Sequence, residues 1–176
     1  LFCLAGPLTR SAKDVPKHVR HHVQKRQAGL QSTKKPRVYD SLENAIETRC
    51  LTAKTWPGNQ YLSKEASREM VTRGTLHVEN DDASGFQFRH DPRLQLPSVM
   101  YFTQEQADAV LNDIQCPTAL LLAQEGWPFD KEAHKGTLEL LKPVVYKTMP
   151  GSHHFHADPD SALQLVDEVA AFLLQD

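Results

Sequence analysis

The chain has 176 residues, 40% hydrophobic and 24% charged, a balance that fits one globular domain and argues against a disordered or fibrous segment. No apolar run approaches the roughly 20 residues needed to cross a bilayer, so these residues contain no membrane-spanning helix. The formal net charge of −2 hides an asymmetry: residues 1–38 hold nine Lys/Arg against Asp14 alone, and residues 39–176 hold eleven against twenty-one Asp/Glu. Such a basic arm can serve nucleic acid or an anionic membrane, but no aromatic residue lies between Phe2 and Tyr39 for a base to stack on. The expectation is a solvated helix over a more acidic body, with no nucleic-acid partner. Three cysteines (Cys3, Cys50 and Cys116) are an odd number without metal-type spacing. They read as small buried apolar residues in a reducing, cytoplasmic setting, with an organelle such as the peroxisome left open.

In chain order, LFCLAGPL is too short for a signal-peptide core and reads as a strand cut from a longer chain. Residues 9 to 114 read as mostly helical. A first helix starts near Ser11 or Asp14, has Pro16 in its first turn, and shows a narrow apolar stripe of Val15, Val19 and Val23. His18, His21 and His22 share a face of it and are expected to be solvated. After the linker QSTKKP, a second helix begins near Asp40 or Ser41, and Glu43 three residues after Asp40 favours Asp40 as cap. Leu42, Ala45, Ile46 and Leu51 are its apolar positions. TWPGNQ is a turn, and Ser63 caps a third helix that runs out at Gly74. NDDASG (80–85) reads as a loop, followed by a short extended segment at Phe86–Phe88. Thr103 with Gln106 forms a capping box for a helix with Ala107, Val110, Leu111 and Ile114 inward.

From Cys116 the pattern changes. PTALLLA (117–123) is a continuous apolar run, as for a strand covered on both faces, and PVVYKTM (143–149) is a second strand. A helix near 130–141 separates them, and DSALQLVDEVAAFLL closes the chain with Leu163, Val166, Val169, Ala170 and Leu173 on one face. Strand–helix–strand–helix with about 20 residues between strands predicts a parallel α/β sheet.

Functional residues of such sheets sit in loops at the carboxyl ends of strands. The first of these loops holds Glu125, Trp127 and Asp130, and the second holds His153, His154, His156 and Asp158. A carboxylate brought against a histidine fixes the imidazole tautomer and stabilises the imidazolium. His154 and His156 lack a fourth ligand with closing spacing, so neither a metal nor another cofactor is expected. Trp127, Phe129 and Phe155 read as lining of an apolar pocket or as plain core.

The run CPTALLLA, its acidic loop, the helix, and PVVYKTMPGSHHFHADPDSALQLVDEVAAFL resemble the carboxyl-terminal part of an α/β-hydrolase, with Gly151-Ser152-His153 as the Gly-x-His loop and Pro159 before the closing helix. AGPLTR, the basic helix, the helical middle and LLLAQEGWPFD narrow the resemblance to the serine hydrolase-like protein family. It implies a partial α/β-hydrolase fold: residues 1–8 a core-strand remnant, 9–114 a helical cap and its return to the core, and 115–176 a carboxyl-terminal core segment with the histidine loop. It also implies a serine-type hydrolase of small ester or similar acyl substrates, with His153 as the catalytic histidine. Asp130 in WPFD is the preferred acid and Glu125 the alternative; helix N-capping is an equal reading of Asp130. No glycine starts Gly-x-Ser-x-Gly, and Ser32-x-x-Lys35 lies in a basic linker without partner motifs. This chain alone is therefore expected to be inactive. The other reading is a non-catalytic, truncated or divergent relative that acts as a binding or interaction protein.

Overall fold

A computed structural model describes residues 9–32, 35–80, 83–128 and 131–174. The elements are α1 (Val15–Gln31), β1 (Val38–Tyr39), α2 (Leu42–Ala53), α3 (Lys64–Gly74), β2 (Thr75–Asn80), β3 (Ala83–Phe88), α4 (Gln104–Asn112), β4 (Ala119–Glu125), α5 (Lys131–Leu141), β5 (Val145–Ser152) and α6 (Pro159–Leu173). Short 3-10 turns at Ala12–Asp14 and Pro92–Gln95 complete them.

Local signals set most helix starts. Ser63 accepts from the Ala66 amide, and the Thr103–Gln106 capping box closes in both directions. At α2 the cap is Ser41, whose hydroxyl accepts from the Asn44 amide, and not the expected Asp40. A side-chain cap needs only one well-placed oxygen, so the Glu43 signal did not decide the position.

The helical region also contains a three-stranded antiparallel sheet, ordered β1-β3-β2. This corrects the loop expected over 80–85, because Asn80 pairs with Ala83 and Val78 with Gly85. Cross-strand pairing satisfies backbone groups that the polar, turn-rich sequence left open. Gly85 is required there, since a Cβ would lie 2.2 Å from the Tyr39 carbonyl oxygen on β1. Over this sheet and α2–α3, Tyr39, Ala45, Ile46 and Val71 form one core cluster, with Leu42, Phe86 and Phe88 against it. Ile46 and Val71 are fully buried, each contributing about 1.5–3 kcal/mol. Leu51, placed on the apolar side of α2, is exposed.

β4 and β5 pair in parallel, as expected, with a register shift between Ala123 and Glu125. Met149, Phe155 and Leu165 form the core between this pair and α6, with Leu121, Ala123 and Val169 alongside. Phe155 is thus plain core. The other face of β4 is only half covered, with Leu120 buried and Gln124 exposed.

Two apolar faces fall differently from expectation. α6 turns Ser161, Leu165 and Val169 inward, leaving Leu163, Val166 and Leu173 exposed. Its apolar residues populate two adjacent stripes, and periodicity alone does not choose between them. α4 buries Ala107 and Leu111, but Val110 and Ile114 are exposed and the helix ends at Asn112. α1 has no buried residue, in keeping with its narrow stripe. Its histidines are not uniformly solvated: the His22 Nδ1 lies 2.7 Å from the Pro97 carbonyl oxygen, and His18 packs at 5.0 Å on Tyr101. Packing against the 97–101 segment draws them from water. Cys50 is half-buried, and Cys116, expected to be buried, is exposed because its strand starts three residues later. Cys3 lies outside the described residues. No helix among the described residues is long and apolar enough to cross a membrane.

Candidate functional site

Three segments converge where β4 and β5 end: residues 124–128, the turn 151–158, and the connection 54–63 between α2 and α3. Register pairs Glu125 with Ser152, which brings His153 one residue beyond the sheet. The turn depends on Gly151, whose φ is +112° and whose Cβ, if present, would lie 2.8 Å from the Phe155 Cβ. Only glycine adopts this backbone without strain. The turn is then closed by the Phe155 amide donating to the Ser152 carbonyl (2.9 Å) and the Ser161 hydroxyl donating to the Phe155 carbonyl (2.7 Å).

His153 is half-buried. Trp127 meets it edge-on at 5.7 Å and Trp56 at 6.4 Å, while the two indoles stack at 6.0 Å. Burial, with the neighbouring His156 second, holds the His153 pKa below its ordinary value. Burial thus favours the neutral imidazole, the form that can accept a proton. His154 is pushed down further, to about 4, by burial first and then by His153, Arg49 and His156. Both its ring nitrogens are buried without a hydrogen-bond partner, and its ring packs 5.5 Å from Trp56. Arg49 lies 5.3 Å over the Trp56 ring.

The carboxylates are distributed unevenly. Glu125 accepts from the Asn59 amide nitrogen at 3.3 Å, so its carboxylate is engaged by the α2–α3 connection. Asp158 is buried, and one of its oxygens accepts from the Ser63 amide at 3.1 Å. Among the described residues no carboxylate is hydrogen-bonded to the His153 ring. Asp130 and Phe129 lie outside the described residues. No group of three or more His, Cys, Asp or Glu among the described residues is arranged to hold a metal ion.

Sequence reasoning missed Trp56, Arg49 and Gln60. Gln60 is 5% exposed. Its amide nitrogen donates to the Glu125 carbonyl (2.9 Å), and its oxygen accepts from the His153 amide (3.0 Å). These partners lie 65 and 93 residues away, and nothing in the turn TWPGNQ announces them.

No family model matches the chain. A serine hydrolase-like protein of Dictyostelium discoideum is 24% identical over 156 residues, covering 82% of this chain and 40% of that protein. A probable serine hydrolase of Drosophila melanogaster is 30% identical over 94 residues, covering 51% of this chain and 28% of that protein. The chain is related to the serine hydrolase-like proteins. Among solved structures, a hypothetical protein of Pseudomonas aeruginosa superimposes with a TM-score of 0.79 at 30% identity, covering 96% of this chain and 56% of the other. The thioesterase domain from the curacin biosynthetic pathway follows at 0.68 and 18% identity, covering 94% and 55%. The chain thus has a partial α/β-hydrolase fold. It spans about two-fifths of its Dictyostelium relative and just over half of the Pseudomonas structure.

Proposed function

We propose that this chain carries the histidine-bearing part of a serine-type hydrolase site for small ester or similar acyl compounds. The observation that carries the reading is the Gly151 turn, with φ of +112°, delivering a half-buried His153 at the carboxyl end of β5. In this reading a serine hydroxyl attacks the acyl carbon, the His153 imidazole takes its proton, and the resulting imidazolium later protonates the leaving group. Asp130 is the proposed carboxylate behind His153, and Glu125 the alternative. Residues 9–114 act as a helical cap with its return to the core, and 115–176 as the carboxyl-terminal core segment. Trp56 and Trp127 supply an apolar wall beside the imidazole. Unpaired Cys50 and Cys116 support an intracellular setting.

The sequence contains no Gly-x-Ser-x-Gly, which favours one competing reading: a non-catalytic relative that acts by binding. Ester turnover by the purified chain and by its His153→Ala variant tests whether these residues hold a nucleophile, and turnover by the chain completed from a relative, lost in His153→Ala, tests the first proposal. The purified chain and its variant are expected to be equally inactive. Turnover by the purified chain that disappears in His153→Ala would show that a nucleophile had been overlooked.

A further inference from the structure

The 60–63 segment lies along the histidine turn and is joined to it at three points. The Gln60 oxygen accepts from the His153 amide, the Ser152 hydroxyl donates to the Tyr61 carbonyl at 2.5 Å, and the Ser63 amide donates to Asp158. Gln60 alone among these also reaches the other strand, donating to the Glu125 carbonyl. A carboxamide offers a donor and an acceptor on adjacent atoms, so one side chain can bridge two backbones. Gly58, at φ +84°, packs over this group: a Cβ there would lie 3.2 Å from the Gln60 amide nitrogen. A carboxamide this buried is costly unless both its ends are paired, which ties its conformation to the positions of both strands.

We propose that Gln60 is a positioning residue for His153, spanning the ends of β4 and β5 so that the imidazole stays against Trp56 and Trp127. The inference rests on the reading of His153 as the base. Gln60 touches the His153 backbone and not the ring, so it acts through the turn. With the span cut, the turn gains freedom and the imidazole gains water. Groups facing that imidazole are His154 and His156 on the turn, Trp56 on the α2–α3 connection and Trp127 after β4.

The test is nuclear magnetic resonance of the whole 176-residue chain and its Gln60→Leu, Gln60→Asn and Gln60→Glu variants. Gln60→Leu removes both bonds, Gln60→Asn is too short to span them, and Gln60→Glu keeps the acceptor for the His153 amide. In Gln60→Leu and Gln60→Asn, His153 amide exchange should quicken several-fold to about tenfold, the range a single hydrogen bond supports. The Ile46 amide in α2 should change less, and the His153 ring pKa should rise toward its ordinary value. Gln60→Glu keeps the acceptor for the His153 amide but cannot donate to the Glu125 carbonyl, so with the span cut His153 amide exchange should again be faster than in the parent. If Gln60 only fills space, Gln60→Asn will lower the melting temperature yet leave His153 exchange and titration as in the parent. That result overturns the proposal, as does exchange at the parent rate in Gln60→Glu, which would show that the bond to Glu125 plays no part. None of these readouts needs turnover. Failure here therefore leaves the catalytic reading of His153 standing, whereas a hydrolase form indifferent to His153→Ala would remove that reading without touching the Gln60 contacts.

Discussion

His153 and His154 are neighbours with different surroundings, and the difference is chemical. His153 keeps part of its ring in water beside two indole edges, whereas His154 has both nitrogens buried and unpartnered. A histidine whose folded pKa lies below its unfolded value disfavours the fold as pH falls, because the unfolded chain takes up the proton first. For His154 that window runs from the ordinary value of 6.5 down to about 4. The stability at neutral pH is retained above it and lost progressively through it. The urea midpoint should therefore fall between about pH 7.5 and pH 4.5, and fall less in His154→Phe, which cannot charge. An equal fall in both would assign the acid sensitivity to other groups. At this scale His153 was legible because Gly-x-His is a local pattern. Gln60 was not, because its meaning lies in two backbone groups far along the chain.

The elements show the same division between local and distant causes. The capping box at Thr103 was readable because the residues that decide it lie within one turn. The β2–β3 hairpin was not, since pairing between Thr75–Asn80 and Ala83–Phe88 satisfies the backbone whatever the propensity of each segment. The inward face of α6 was misread because Leu163 and Leu165 are equally apolar, and only the position of β5 and Phe155 selects Leu165. The α2 cap gives a clean test: Ser41→Ala should cost about 1 kcal/mol by thermal melting, while Asp40→Ala should stay within about 0.5 kcal/mol. The reverse order would place the cap at Asp40. Gly151→Ala should cost more, at least about 1–3 kcal/mol, because it combines an unfavourable φ with a 2.8 Å approach to Phe155. A melt unchanged by that substitution would mean that the turn does not need its left-handed residue.

Across the whole molecule, the antiparallel sheet region and the parallel pair are joined through Gln60, Tyr61 and Ser63, with Ala157 also packed against Ala53, Leu62 and Ala66. Coupling of this kind predicts one cooperative transition, with Trp fluorescence and far-ultraviolet circular dichroism giving the same urea midpoint. Separate midpoints would show that the two regions unfold independently. The chain is related to serine hydrolase-like proteins and spans just over half of the Pseudomonas structure. The most direct measurement is ester turnover by a chimera in which this chain replaces the matched region of the Dictyostelium relative. Turnover is expected, with His153→Ala lowering kcat by about a thousandfold or more. A chimera whose turnover is unchanged by His153→Ala would contradict the assignment of His153 as the base.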